Sequence, residues 1–81
     1  MTVTIPGYST LTGQPAAILK LMQDARFFDA PEGDEYIQTI VKDSERLFGI
    51  TLKVEGETYE ERAESLLREM AKHNLITIGE E

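Results

Sequence analysis

The fold is determined by residues 50–78, which read ITLKVEGETYEERAESLLREMAKHNLITI. Apolar and polar side chains alternate through residues 50–55, which predicts a strand with one buried face. Thr58 and Glu61 have the spacing of a capping box, in which each side chain hydrogen bonds to a backbone N–H of the other residue, so a helix is predicted to begin there. Residues 75–78 predict a second short strand. A strand, a helix and a strand in immediate succession favour a right-handed β-α-β unit with parallel strands.

Two more helices are predicted upstream of this unit. Pro15 is acceptable in a first helical turn, and residues 16–27 are good helix formers. Asp34 is a predicted N-cap for a helix that ends near Phe48, and Gly49 suits a left-handed C-cap. The apolar positions at helical spacing predict the buried stripes, which are Ile18, Leu21, Met22, Ala25 and Phe28 in the first helix, Ile37, Ile40, Val41, Ser44, Leu47 and Phe48 in the second, and Tyr59, Ala63, Leu66, Leu67, Met70 and Ala71 in the third.

The beginning of the chain alternates through residues 2–5, which predicts a third short strand, and residues 6–14 read as a connecting loop. The predicted fold class is therefore α+β: a small two-layer domain over residues 1–81 with the order β-α-α-β-α-β. Its three short strands have the helices on one face, and it ends in the β-α-β unit. The place of the first strand in the sheet stays open, and a helical array with short strand pieces is the competing architecture.

Catalytic, cofactor and metal sites are not expected from this composition. The 81 residues include no cysteine and a single histidine, which excludes thiolate chemistry and the usual zinc ligand sets within one subunit. Glu60 with Glu64, and Glu69 with His73, lie one helical turn apart, but two ligands without a third make a poor metal site. The serines have no context for nucleophilic catalysis. We therefore expect a protein that is not an enzyme and that has no cofactor.

Localisation is read from the same sequence. Its N-terminus has no basic segment followed by an apolar run, and no stretch approaches the roughly 20 apolar residues of a membrane span. We expect a cytoplasmic protein without a membrane partner.

Fifteen acids against eight bases give a net charge of −7, and the acids cluster in two places. A small acidic protein without catalytic equipment is typical of protein-interaction modules with a regulatory or inhibitory role, so we expect an unidentified, basic protein partner. The same charges are also explained if they only keep the protein soluble, and this alternative stays open. The predicted partner-binding acids are Asp29, Glu32, Asp34 and Glu35 in the first cluster, and Glu57, Glu60 and Glu61, next to Glu55, in the second.

The first helix is more apolar than one sheet face requires. Leu19 and Phe27 lie outside its predicted stripe, and we expect them to bind a partner, with a homodimer as the simplest case. A helix covered by neighbouring elements explains the same pattern and is the alternative.

Residues 63–76, AESLLREMAKHNLI, are similar to the recognition helix and the following strand of winged-helix DNA-binding domains. This resemblance implies a nucleic-acid-binding protein as the alternative function. The chain departs from that pattern because a strand precedes the helix, no second wing strand remains, and Glu60, Glu61, Glu64 and Glu69 lie on the helix. Those acids repel phosphate, so we expect no nucleic-acid partner.

Overall fold

A computed structural model describes residues 1–7, 9–25 and 33–79. Its elements are β1 (Thr2–Thr4), β2 (Thr10–Thr12), α1 (Pro15–Asp24), α2 (Asp34–Phe48), α3 (Tyr59–Lys72) and β3 (Thr77–Gly79). The predicted α+β class is confirmed. The predicted order of elements also fits, with residues 50–55 at the position of the middle strand.

The sheet has the order β2-β1-β3, and β1 is antiparallel to both neighbours. Val3 lies opposite Leu11 on one side and Ile78 on the other, and these three side chains form the inner face. Threonines form the outer face, where the hydroxyls of Thr4 and Thr10 lie 3.2 Å apart. One face of the sheet therefore packs on the helices and the other meets solvent.

The pairing of strands differs from the prediction in two ways. Residues 50–55, named here the 50–55 segment, form no ladder with the sheet, and the third strand is β2, which lies in the predicted loop. The parallel pairing predicted for the two strands of the β-α-β unit was wrong, because residues 50–55 join no ladder in the described residues and β3 pairs antiparallel with β1. A hairpin between β1 and β2 closes over a very short loop, so it costs less chain entropy than a crossover around α3.

The 50–55 segment nevertheless has the alternating burial that its sequence predicts. Leu52 is buried, Val54 is half-buried, and Thr51, Lys53 and Glu55 are exposed. This period of two is that of an extended chain with one face on the core.

The predicted helix ends are mostly confirmed. The Thr58 hydroxyl accepts from the Glu61 N–H at 3.1 Å, and the Glu61 carboxylate accepts from the Thr58 N–H at 3.1 Å, which completes the capping box. Gly49 ends α2 with a φ of 66°, in the left-handed region that favours glycine. Asp34 is the first residue of α2 and not its N-cap, because Gly33 takes that position.

The core lies between the sheet, α1 and α3, with α2 packed against α3. Leu66, Leu67 and Met70 are buried as predicted, together with Leu52. Other predictions were wrong, since Leu21, Leu47 and Phe48 are 41%, 59% and 58% exposed. The buried stripe of α1 is Pro15, Ile18, Leu19 and Met22, which fits the helical period as well as the predicted one does.

Candidate functional site

The acids of the second predicted cluster have different structural roles. Glu60 is half-buried, and its carboxylate accepts a hydrogen bond at 3.1 Å from the backbone N–H of Ala16, in the first turn of α1. Glu61 belongs to the capping box of α3. Glu55 and Glu57 are exposed, and in the described part of the chain their carboxylates form no ion pair. Two of these acids therefore support the fold, and two are free to meet a partner.

In the first cluster, Asp34 is also engaged within the molecule. Its two carboxylate oxygens accept from Nε and Nη2 of Arg62 at 2.8 and 3.0 Å. These hydrogen bonds are the main reason why the pKa of Arg62 is raised above its ordinary value. Arg62 also donates to the carbonyl of Glu57 at 3.1 Å, so it joins α2, α3 and the turn between the 50–55 segment and α3. Glu35 is exposed.

Asp29, Glu32 and Phe27 lie outside the described residues, so their predicted role stays a prediction. Leu19 is fully buried, and the prediction that it remains on the surface was wrong. Leu21, placed in the core by the sequence, is an exposed apolar residue of α1. The homodimer stays a prediction, but Leu19 does not support it.

Besides Glu60, two of the four residues considered as metal ligands make other contacts. Glu64 accepts from Arg68 at 3.0 Å, and Glu69 accepts from the backbone N–H of Lys53 at 3.1 Å. Among the residues that the structure describes, no group of three or more metal-ligating side chains comes together. In the same residues, no helix has the length and apolar character to cross a membrane.

The two edges of the 50–55 segment differ. On the edge that faces α3, the Lys53 N–H donates to Glu69, and the Glu55 N–H donates to Ser65 Oγ at 2.9 Å. Successive residues of an extended chain alternate in direction, so we expect the N–H and C=O groups of Leu52 and Val54 on the other edge. Within the described residues they have no hydrogen-bond partner.

Leu52 and Val54 also line a groove of about 540 Å³ between α2 and the 50–55 segment. We name it the α2 groove. Its floor is apolar, and polar side chains surround it; the lining residues are Ile37, Val41, Leu52 and Val54 in the floor, with Asp34, Gln38, Lys42 and Arg62 at the rim. Ile37 and Leu52 are buried, whereas Val41 and Val54 are half-buried.

Phe48 extends the apolar surface of α2 beyond the groove. It lies seven residues after Val41, which is two helical turns, so both side chains share one face of α2. Leu47 is also exposed but lies about 120° away around the helix. From Ile37 to Phe48 the apolar strip is about 16 Å long, at 1.5 Å per residue.

After the 50–55 segment, the turn into α3 requires glycine at position 56. A Cβ on Gly56 would lie 2.7 Å from the Cβ of Glu61, and Gly56 has a φ of 139°. This close approach fixes the end of the 50–55 segment against the first turn of α3. The exposed acids Glu55 and Glu57 flank Gly56 and follow the groove residue Val54 in the chain, but they do not line the groove.

The sequence alone did not identify the α2 groove. Its signals were present, since Val41 and Phe48 are seven residues apart and the alternation of the 50–55 segment marks a half-buried chain. Both patterns are equally consistent with fully buried positions. Only the packing shows that these residues meet at a surface.

Comparisons of this chain with protein-family models, with curated proteins and with solved structures find no match.

Proposed function

We propose that this protein is a small, non-catalytic protein-interaction module that acts in the cytoplasm and binds a basic protein partner at the α2 groove. The observation that carries the proposal is the groove itself: an apolar floor is open to solvent, and it ends at Val54, which precedes the exposed acid Glu55 in the chain. Apolar contact area supplies affinity, and unpaired surface charge supplies orientation and a faster association.

The charges near the groove favour a basic partner. Within the groove lining, Asp34 pairs with Arg62 and Lys42 is a further base, so the acids that would favour a basic partner are Glu55 and Glu57, which follow Val54 in the chain. The net charge of −7 acts in the same direction over longer distances. The same charges disfavour a phosphate backbone, so the proposal does not include nucleic acid.

The test is a selection of phage-displayed peptides on the folded protein, followed by affinity measurements with purified protein. We expect peptides with Lys or Arg beside apolar residues, and we expect the double variant E55K/E57K to bind them at least roughly tenfold more weakly. A matched control, D24K/E45K, makes the same change in net charge at exposed positions outside the groove. An equal loss in both variants, or no enrichment of any peptide, would contradict the proposal.

A further inference from the structure

We infer that the occupant of the α2 groove is an extended segment of a protein partner, which adds a strand to the free edge of the 50–55 segment. This inference rests on the proposed function and specifies how the partner binds. It starts from the backbone groups of Leu52 and Val54, which have no hydrogen-bond partner in the part of the chain that the structure describes. A strand placed along this edge would form up to four main-chain hydrogen bonds with these two residues.

The surroundings of these groups favour pairing over permanent hydration. Leu52 is only 4% exposed, and the groove beside it is floored by apolar side chains. An apolar occupant without backbone donors and acceptors at the edge would cover these groups and leave them unsatisfied, which costs free energy. A helix satisfies its own backbone internally, so a helical partner would carry this penalty, and an extended partner would not.

The dimensions of the apolar strip fit the same occupant. About 16 Å between Ile37 and Phe48 corresponds to about five residues of a strand, at about 3.3 Å per residue. In a paired strand, alternate side chains point to the same face. The partner segment is therefore expected to carry apolar residues at two or three alternate positions, which would contact Ile37, Val41 and Phe48.

Charge complementarity indicates what flanks the apolar positions. Glu55 and Glu57 come just after the paired residues and are exposed, whereas the charged residues that line the groove itself are Asp34, Lys42 and Arg62. A Lys or Arg beyond the end of the partner's apolar run would therefore meet the two free acids. The partner is thus described by its chemistry: a short, extended, alternating apolar segment that is flanked by basic residues.

Hydrogen exchange of individual amides, measured by NMR, tests the backbone pairing. The probe is a synthetic peptide of alternating Val and Thr residues with a pair of Lys residues at one end. At 100 times its Kd, the peptide should slow the exchange of the Leu52 and Val54 amides by up to roughly 100-fold. The Lys53 and Glu55 amides already donate to Glu69 and Ser65, so their exchange should change little. Protection without this alternation would overturn the inference.

Peptide and protein variants separate the binding mode from the proposed function. N-methylation removes one backbone donor, so it should weaken binding at least roughly tenfold at alternate peptide positions and leave the positions between them nearly unaffected. The peptide could bind, and E55K/E57K could weaken that binding, while N-methylation is tolerated at every position or weakens binding at every third or fourth position. The strand-addition inference then fails, and the proposed function survives. If neither this peptide nor any selected peptide binds, both fail.

The location is tested by V41R, with L47R as the matched control on another face of α2. V41R should abolish binding, and L47R should leave it within roughly twofold, because Leu47 is 59% exposed and does not line the groove. Should V41R fail to fold, F48S at an exposed position replaces it, with a several-fold loss expected. Equal losses in the groove variant and the control would place the peptide elsewhere.

Light scattering of the protein alone should give the monomer mass, and a dimer that the peptide dissociates would make a second copy the occupant instead.

Discussion

On one side of the molecule, α1 and α3 pack on the sheet, and Ile18, Leu19, Leu66 and Leu67 are fully buried. On the other side, α2 lies beside the 50–55 segment, and Val41, Leu47 and Phe48 keep part of their apolar surface in water. The first side is joined by side-chain packing. The second side also contributes buried residues, such as Ile37, Ile40 and Leu52, and it adds polar contacts such as the Arg62–Asp34 ion pair. The difference is that the α2 side keeps more apolar surface in contact with solvent, which is why the proposed binding surface lies there.

The largest effect is expected from L67A on the packed side. Removing this fully buried side chain should lower the free energy of unfolding by about 2–5 kcal/mol, because it leaves a cavity in the core. The matched variant L47A on the open side should change it by less than about 0.5 kcal/mol. Chemical denaturation of both variants gives the two values. Similar losses would show that the two sides do not differ in packing.

T58A should cost about 1 kcal/mol, because the N–H of Glu61 then loses its acceptor at the start of α3. T58S keeps the hydroxyl and should recover most of the loss. Thermal unfolding of both variants is the measurement. An unfolding curve for T58A that matches the native protein would mean that packing alone fixes the start of α3.

S44A should stabilise the protein by about 1 kcal/mol. Ser44 is completely buried in α2, and its hydroxyl has no hydrogen-bond partner among the described residues, so replacing it removes an unsatisfied group and introduces a better helix former. Urea denaturation of S44A and the native protein gives the difference. A loss of stability would indicate that the hydroxyl makes a hydrogen bond, for example to water.

The smallest effect is expected from S65A, which removes the hydrogen bond from the Glu55 N–H to the Ser65 hydroxyl. The stability should fall by roughly 0.5–1 kcal/mol, since both groups are partly accessible to water. Hydrogen exchange of the Glu55 amide should become faster, whereas that of Lys53 should stay close to native because Glu69 still accepts from it. Unchanged exchange at Glu55 would show that this edge of the 50–55 segment is not held by Ser65.

Some features were predictable because the interacting residues lie close together in the chain. The capping box joins Thr58 and Glu61, three residues apart, and its geometry follows from the helix itself. Gly49 ends α2 by its own backbone conformation. The alternation of the 50–55 segment was also correct, because each side chain follows the period of an extended chain whether or not the chain joins a sheet.

The tertiary structure decided what these local patterns leave open. In α1, two apolar stripes fit the helical period, and only packing against α3 selects the one that contains Leu19. Glu60 hydrogen bonds to the N–H of Ala16, 44 residues away, and no local rule distinguishes it from the free acid Glu57. The α2 groove has the same origin, since it exists where α2 and the 50–55 segment meet. Sequence periodicity specifies which residues share a face, and the packing of the faces determines which of them remain available to a partner.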